Sequence, residues 1–508
     1  MKVRILIPFF LLNFIFVVYA EGQNKAYDAS ELNKIVESAY KTFQPTGLSV
    51  AIIKNDTAII QSSFGKRSST TGKPVTNESL FNIASCTKPF TSTAMGLLVQ
   101  QGKINWEDKV IDYIPELKLK DPYITNKLTI ADILSHRSGL STFTGDLLWY
   151  YTDYSNEDII QRMEYLPIKN DFRSEFGYQN NMFMIAGEII ERVSGMTWGE
   201  FISKNIFDPL QMNSTKPSND ELSKDDELAY PHLNGEQVEF YNFNGTKPAA
   251  SIMSNITDLS HWTRMLLNDG VFEEDTIISQ SILKDCFTPK INLPVSNSNN
   301  RTHFRAYGLG WQIFDYHGKK IIEHNGGMPG YISKTTIIPE ENLGIVVLNN
   351  GFEVFVHRAL LYQILEHILQ PEKEKDWIKE YKKAKNSYLE RKANHRKQRL
   401  KQKVENTSPS LELTKYTGQF RDKMYGDATV EMTEDKLKLT LEPANEVFTS
   451  KMKHWHYDTF RVDFKDPFLP FGLITFDFNS EGKVEGFKID LPINDFHFNN
   501  LYFESVSE

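Results

Sequence analysis

The stretch FNIASCTKPFTSTA, residues 81–94, carries a hydroxyl and an amine at a spacing suited to nucleophilic catalysis. Ser85 lies at the predicted start of a helix, where unpaired backbone N–H groups and the partial positive charge of the helix end can stabilise an oxyanion. Lys88 follows three residues later and therefore lies on the same face of the helix. A serine hydroxyl is a poor nucleophile until a base takes its proton, and a buried neutral lysine can be that base.

This chemistry requires a large change in the pKa of Lys88. A lysine side chain normally titrates near 10.4, so a neutral amine at pH 7 needs a shift of about three units, or roughly 4 to 5 kcal/mol of desolvation and neighbouring charge. The Ser-x-x-Lys spacing alone is weak evidence, because it recurs at other positions such as Ser38 and Ser281. Ser85 differs in its setting between a strand-rich segment and a helix, and two further stretches suit the same reaction.

The first of these stretches is FGYQNNMFMIAGEIIERVSG, residues 176–195, which places Tyr178 in a loop before a predicted helix. A phenol close to an ammonium can lose its proton and carry it between nucleophile and leaving group. Asn180 supplies an amide able to bind both Lys88 and a substrate carbonyl. The structural alternative is that Tyr178 only caps the helix through a hydrogen bond in the core.

The second stretch is EHNGGMPGY, residues 323–331, which follows a predicted strand. His324 could lend a hydrogen-bond donor or a positive charge to the site. Gly326 and Gly327 permit a substrate to approach the strand backbone closely, so that the N–H of Gly327 becomes a second oxyanion donor beside that of Ser85. The structural alternatives are a histidine at a strand end and a simple Gly-Gly turn.

The hydrophobic pattern predicts the elements that must position these residues. Helical spacing over residues 31–43 precedes two strand-like runs, 48–53 and 58–61, which form a hairpin. Residues 108–267 are mostly helical in pattern, and strand patterns return before a helical segment near 354–369. One sheet closed by the N- and C-terminal parts of this region, with helices between and after, is the economical α/β (α+β) arrangement.

The C-terminal part differs in composition and pattern. Residues 372–409 are predicted to be a basic helical linker, because residues 372–403 carry thirteen Lys or Arg residues against five Asp or Glu residues. A solvated spacer is favoured over a membrane-surface or partner-binding helix, since the apolar stripe is thin. Residues 410–508 alternate as strands do, which predicts a small all-β sandwich or barrel.

Composition and the N-terminus limit the classes of function. The net charge of −9 does not favour electrostatic binding of a nucleic acid. Residues 1–20 have the pattern of a cleaved signal peptide, which predicts a secreted or periplasmic protein without a firm membrane anchor; an uncleaved anchor is the alternative.

Two cysteines, Cys86 and Cys286, make no disulfide framework, and we expect Cys86 to be a small buried residue. No metal-ligand pattern is seen, so neither a metal nor a cofactor is expected.

In the order Ser-x-x-Lys, Tyr-x-Asn and His-x-Gly, the three stretches resemble the β-lactamase-related serine hydrolases, the group of class C β-lactamases, DD-peptidases, D-aminopeptidases and class C-like esterases. ADILSHRSGL and YGLGWQI are also similar to segments that recur in this family, and the resemblance covers about residues 30–370. It implies a β-lactamase/DD-peptidase-like domain over residues 21–371, with an antiparallel sheet, flanking helices and a helical lobe. The β-rich tail resembles the lipocalin-like, barrel-like domain that some members carry after a basic connector.

The resemblance also implies roles for the matched residues. It makes Ser85 the acylated nucleophile, with Lys88 and Tyr178 as the proton-handling pair. Asn180 would position substrate and lysine, and residues 324–327 would form the strand that flanks the substrate. β-Lactamases and many DD-peptidases have lysine where this chain has His324, and a mostly neutral imidazole weakens the contact with a substrate carboxylate. A peptidase or esterase is therefore favoured over a true β-lactamase.

The leading hypothesis is an exported serine hydrolase that acylates Ser85 with a small-molecule or peptide substrate, through an ester, amide or peptide bond, and releases the acyl group to water. The alternative is a catalytically retired peptide- or ligand-binding protein on the same fold. The C-terminal domain is a candidate for oligomer assembly or for shielding of the active site. The aromatic residues Trp149, Tyr150 and Tyr151 either wall the substrate site or pack the core of the helical lobe.

Overall fold

The structure is a computed structural model that describes residues 28–241, 244–295, 301–369 and 375–506. The predicted signal peptide, residues 1–20, lies outside the described residues. In the described ranges, no helix combines the length and the apolar character needed to cross a membrane.

Helices flank the first sheet, build the helical lobe and connect the two domains. In the described residues they are, in chain order, α1 (Ala29–Phe43), α2 (Lys88–Gln100), α3 (Pro122–Lys127), α4 (Ile130–Leu134), α5 (Asn156–Arg162), α6 (Asn180–Ser194), α7 (Trp198–Ile202), α8 (Lys247–Ala250), α9 (Ile256–Leu267), α10 (Gln280–Cys286), α11 (Val356–Leu369) and α12 (Trp377–Lys401). The predicted first helix, helical lobe and helix after the last strand of the domain are confirmed.

Strands fall into two large sheets and several short pairs. Over the same ranges they are, in chain order, β1 (Gly47–Lys54), β2 (Thr57–Gly65), β3 (Phe81–Asn82), β4 (His232–Leu233), β5 (Glu236–Gln237), β6 (Met253–Ser254), β7 (Val271–Phe272), β8 (Asp275–Thr276), β9 (Ile291–Asn292), β10 (Arg305–Tyr307), β11 (Gln312–Tyr316), β12 (Lys319–Met328), β13 (Tyr331–Ile338), β14 (Leu343–Asn349), β15 (Gly418–Asp422), β16 (Gly426–Thr433), β17 (Lys436–Leu441), β18 (Thr449–Lys451), β19 (Lys453–His456), β20 (Thr459–Val462), β21 (Gly472–Phe478), β22 (Val484–Asp490) and β23 (Tyr502–Ser505).

The first sheet is antiparallel and has the order β2-β1-β14-β13-β12-β11-β10-β9. Val50 of β1 lies opposite Val347 of β14, so the early and late strands of the domain meet at one place. The hairpin between β1 and β2 turns at Asn55 and Asp56, which both have positive φ, a conformation that these residue types tolerate well. The prediction of one sheet closed by both ends of the domain is confirmed.

Alternating residues of β1 pack on opposite faces of this sheet, as the strand period of two requires. Leu48 and Val50 belong to a core formed with α1 and α11. Ala51 and Ile53 belong to the larger core that includes α9 and the helical lobe. The turn that carries Ser85 packs against β12 and β13 of the same sheet, so the sheet positions Ser85.

The C-terminal domain is a nine-stranded antiparallel sheet in the order β18-β17-β16-β15-β23-β22-β21-β20-β19. Its two edge strands are consecutive in the chain and are separated only by Met452, so the sheet is a nearly closed barrel. Aromatic rings fill the interior, where Phe476 lies 5.0 Å from Tyr416 and Phe487 lies 4.8 Å from Phe503, between ring centroids. The predicted all-β, barrel-like domain is confirmed, although its shorter strands were not predicted.

The basic linker forms α12, which confirms the predicted helix. Near its start, Ile378 is buried against α11 and Lys382 Nζ donates a hydrogen bond to Thr42 O at 3.0 Å. Residues 386–398 are exposed on all sides, as in a solvated spacer. Farther along, Arg399 pairs with Asp490 at 3.0 Å, so this end of the helix is attached to the barrel.

The aromatic cluster of the lobe is a contact between the two domains. Tyr150 is buried and stacks on Phe496 with 3.6 Å between ring centroids. Its hydroxyl donates a hydrogen bond to Asp466, which also accepts one from Tyr241 at 2.9 Å. Tyr150 thus packs in a core, as one of its two predicted roles requires, but the lobe shares this core with the barrel. The sequence pattern of the lobe carries no information about such distant partners.

Candidate active site

Ser85 lies in a single 3₁₀ turn, Ala84–Thr87, that leads directly into α2. Ala84 has a φ of +46°, a left-handed conformation that costs free energy in a residue with a side chain. The Asn82 side chain offsets part of this cost, because its Oδ1 accepts a hydrogen bond from Ala84 N at 2.6 Å. The strained turn leaves Ser85 partly exposed, so the hydroxyl can meet a substrate.

Lys88 is fully buried in the first turn of α2. Its Nζ lies 3.1 Å from Ser85 Oγ, 2.7 Å from Asn180 Oδ1 and 2.9 Å from the backbone oxygen of Ala249. The structure therefore brings together the nucleophile, the lysine and the amide that the sequence analysis selected. The oxygen of Ala249 was not predicted, since any residue can supply a backbone carbonyl.

The charge state of Lys88 determines what this contact can do. Burial lowers the pKa of Lys88 to about 7. A neutral amine has two hydrogens and one lone pair. Because the oxygens of Asn180 and Ala249 only accept hydrogen bonds, they use both hydrogens, and the lone pair remains for the hydroxyl of Ser85. The lone pair of neutral Lys88 is thus directed at the hydroxyl of Ser85, which is the arrangement that a general base requires.

We expect the rate of Ser85 acylation to rise about tenfold between pH 6 and pH 8, because the neutral fraction of Lys88 rises from about a tenth to about nine tenths across a pKa near 7. The measurement is kcat/KM for a neutral ester substrate across this range, at constant ionic strength. Circular dichroism at each pH controls for unfolding. A flat profile would contradict a role for the neutral amine.

Tyr178 precedes α6 and lies beside Ser85 and Lys88. Lys88 Nζ is 4.8 Å from the centroid of the Tyr178 ring, and a side-chain hydrogen bond joins the phenol to Ser85. Burial raises the pKa of Tyr178, so the phenol keeps its proton and acts as a donor. The N-cap of α6 is Gln179 and has no side-chain cap, so Tyr178 is not the helix cap.

His136, from the segment SHRSGL, lies directly against Tyr178 with 4.3 Å between ring centroids. It is fully buried, and its Nδ1 accepts a hydrogen bond from Gln179 N at 3.0 Å. Burial holds the pKa of His136 well below its usual value, so the ring is neutral. The sequence analysis used this segment only for its resemblance and did not select His136.

His324 lies within β12, which continues to Met328 rather than ending before the histidine. Its ring is buried, and both nitrogens are occupied: Nδ1 donates to Asn325 O at 2.7 Å and Nε2 accepts from the Tyr307 hydroxyl at 2.8 Å. Burial, aided by the charge of Lys88, lowers the pKa of His324 to about 3. A positive charge at this position is therefore strongly disfavoured at neutral pH.

The two glycines of β12 have different surroundings. A Cβ at Gly326 would lie 2.2 Å from the backbone oxygen of Ile83 and 2.1 Å from Ser333 Oγ. A Cβ at Gly327 would meet only the end of the Ile332 side chain, at 3.4 Å. Gly326 therefore allows β12 to approach the turn of the nucleophile, while Gly327 is exposed on the open side. The oxyanion role of Gly327 N–H stays a prediction.

We expect Gly326→Ala to destabilise the protein by about 1 to 3 kcal/mol and to lower the acylation rate, because the added carbon must separate β12 from the nucleophile turn. Gly327→Ala is the matched control and should change the free energy of unfolding by less than about 0.5 kcal/mol. Urea unfolding of both variants gives the comparison. Equal stabilities would contradict the close approach at Gly326.

Asp146 also lies in the site, although the sequence analysis did not select it. Its Oδ2 accepts a hydrogen bond from Asn180 Nδ2 at 2.6 Å, and the side chain is buried. The sequence could have indicated Asp146, because it is the single acidic residue of the apolar segment FTGDLLW and a charged group is rarely buried without a partner. Asp146 thus lies behind Asn180, on the side away from Lys88.

In the described residues, no group of three or more His, Cys, Asp or Glu side chains is arranged to hold a metal ion. Cys86 and Cys286 are buried free thiols, and burial raises the pKa of Cys86 to about 11. Cys86 Sγ contacts the backbone oxygen of His324 at 3.2 Å. The prediction that Cys86 is a small buried residue is confirmed.

Comparisons with known proteins agree with this geometry. The family model Beta-lactamase matches residues 32–368, and the model Domain of unknown function (DUF3471) matches residues 402–505. Penicillin-binding protein 4* of Bacillus subtilis (strain 168) is 29% identical over 331 residues, which cover 60% of this chain and 68% of that protein. Unguisins hydrolase ungD' of Aspergillus campestris (strain IBT 28561) is 28% identical over 388 residues, covering 71% and 70%.

Among solved structures, the octameric penicillin-binding protein homologue from Pyrococcus abyssi has the same fold, with a TM-score of 0.60 at 21% identity. The superposition covers 94% of this chain and 100% of that one. The Beta-lactamase match spans residues 32–368 and so contains Ser85, Lys88, Tyr178 and Asn180. The chain therefore belongs to the Beta-lactamase family.

Proposed function

We propose that the protein is a serine hydrolase that forms an acyl-enzyme on Ser85 and cleaves ester, amide or peptide bonds. The observation that carries this proposal is the 3.1 Å contact between Lys88 Nζ and Ser85 Oγ, made by an amine that burial brings close to neutrality at pH 7. Similarity to a penicillin-binding protein and to an unguisins hydrolase supports this class of reaction.

In the proposed reaction, Ser85 Oγ attacks the carbonyl carbon of the substrate while its proton moves to Lys88 Nζ. The carbonyl electrons move to the oxygen, and the N–H groups of Ser85 and Gly327 would stabilise the resulting charge. Tyr178 then protonates the leaving group as the bond to carbon breaks, and Lys88 returns a proton to the phenol. Water attacks the acyl group by the same proton route and releases the acid and free Ser85.

We further propose that a peptidase or esterase activity exceeds any β-lactamase activity. A lysine at the position of His324 would offer the substrate an amine that can carry a positive charge, whereas this imidazole is buried, neutral and hydrogen-bonded at both nitrogens. Recognition of a substrate carboxylate is then weak. Neutral esters and amides are the favoured substrates. No nucleic acid partner is expected, because the chain is acidic.

Chemical trapping tests the proposal directly. The full chain is incubated at pH 8 with an alkyl fluorophosphonate or a labelled penicillin, and the modified peptide is located by mass spectrometry. We expect the adduct on Ser85, together with faster turnover of short-chain nitrophenyl esters or D-amino acid anilides than of nitrocefin. An unmodified Ser85 and no turnover would favour the retired binding protein, and dominant nitrocefin turnover would contradict the preference for other substrates.

Export and assembly are separate proposals. The signal-like residues 1–20 support export to the periplasm or the medium, and N-terminal sequencing of the mature protein from its host tests it. The solved structure with the same fold is an octamer, which supports oligomer formation in this chain, and we propose the C-terminal domain as the contact. Light scattering of the full chain during gel filtration measures the assembly, and a monomer at micromolar concentration would contradict it.

A further inference from the structure

Asp146 is a buried acidic side chain that has no role in the reaction proposed above. It begins the 3₁₀ turn Asp146–Leu148 of the helical lobe, and only 2% of its surface is exposed. Its side chain bonds Asn180, whose Nδ2 donates to Asp146 Oδ2 at 2.6 Å, and a further side-chain hydrogen bond joins it to Trp149. The other amide atom of Asn180, Oδ1, lies 2.7 Å from Lys88 Nζ.

This arrangement sets the direction of every hydrogen bond up to the nucleophile. The amide of Asn180 directs its NH₂ group at Asp146, because Nδ2 donates to Asp146 Oδ2 at 2.6 Å and an unprotonated carboxyl oxygen accepts this bond. The oxygen of the amide then faces Lys88 and takes one hydrogen of the amine. With the Ala249 oxygen taking another, the lone pair of neutral Lys88 is left for Ser85. A reversed amide would present hydrogens to Lys88 and displace its amine.

We propose that Asp146 is a positioning residue of the active site: its carboxyl group fixes the amide of Asn180 with the oxygen toward Lys88 and so keeps the amine directed at Ser85. This inference rests on the proposed acylation of Ser85 and adds a residue to it. Asp146 contacts neither the nucleophile nor a substrate and acts through Asn180.

The charges around the network predict a second effect of Asp146. Burial raises the pKa of Asp146 to about 8, against the opposing hydrogen bond from Asn180 and the charge of Lys88. Its ionised form raises the pKa of Lys88 against the larger lowering by burial, so loss of the acidic group lowers the pKa of Lys88 further. The other titratable groups facing the pair are Cys86, His136, Tyr178, His324 and Asp495 of the C-terminal domain.

The test is Asp146→Asn, which keeps the size of the side chain but removes its charge and lets it present either an oxygen or an NH₂ group to Asn180. We expect the rate of fluorophosphonate labelling at pH 8 to fall by about 10- to 100-fold, the scale of a misplaced catalytic group. The lower inflection of the pH profile should also move to lower pH. Asp258→Asn is the control, because Asp258 is buried in α9 and bonds Ser214 and Thr215 instead.

A measurement without turnover separates this inference from the proposed function. The ¹³Cε signal of Lys88, assigned with Lys88→Met, reports its titration in the full chain whether or not Ser85 reacts. A titration of Lys88 at lower pH in Asp146→Asn, but not in Asp258→Asn, would support the inference. An unchanged titration would overturn it, as would unchanged labelling in Asp146→Asn. If the wild-type protein is not labelled at Ser85, the proposed acyl-enzyme mechanism is overturned instead.

Discussion

Replacing Ser85 by alanine should lower kcat for ester hydrolysis by about 10⁴- to 10⁶-fold, the loss expected when the nucleophile of a covalent mechanism is removed. The remaining groups, Lys88 and Tyr178, can still bind and polarise a substrate but cannot form the acyl-enzyme. Folding should be unaffected, because Ser85 is partly exposed and its hydroxyl fills no apolar core position. Steady-state kinetics together with the thermal midpoint give the comparison.

Cys86→Ser is the control for this experiment, since Cys86 is the adjacent residue and could be mistaken for a nucleophile. Its thiol is buried, and its raised pKa keeps it protonated. Serine can retain the hydrogen bond to the backbone oxygen of His324. We therefore expect Cys86→Ser to keep most of the activity. A large loss in Cys86→Ser alongside an active Ser85→Ala would reverse the assignment of the nucleophile.

Tyr150→Ala should destabilise the protein by about 3 to 5 kcal/mol, the usual cost of removing a large buried aromatic side chain. The substitution removes the ring that stacks on Phe496 and one of the two phenols that donate to the buried carboxylate of Asp466. The contact between the lobe and the barrel then loses both apolar area and a hydrogen bond. Urea unfolding of the full chain measures the change.

Tyr123→Ala provides the comparison, because 63% of the Tyr123 surface is exposed within the same helical lobe. We expect a change of less than about 1 kcal/mol there. Tyr150→Phe separates the hydroxyl from the ring and should cost about 1 to 3 kcal/mol through the carboxylate of Asp466. Similar stabilities for Tyr150→Ala and Tyr123→Ala would mean that the two domains are not joined through this cluster.

Much of the fold could be predicted because its signals are local. The hairpin at Asn55 and Asp56, the strands of both sheets and the basic helix α12 depend on side-chain period and turn residues within a few positions. The short strands of the barrel were missed, since strands of three or four residues carry too little alternation to detect. The stretch EHNGGMPGY was predicted to follow a strand, whereas β12 continues through His324 to Met328.

The sequence by itself determined the reactive residues whose relation is local: Ser85 and Lys88 one helical turn apart, and Tyr178 two residues before Asn180. Helix geometry sets such spacings without reference to the rest of the chain. Only the tertiary structure decided the partners of Asp146, the hydrogen bonds of His324 and the contact of Tyr150 with the barrel. These depend on burial and on contacts between remote segments, which one stretch of sequence does not encode.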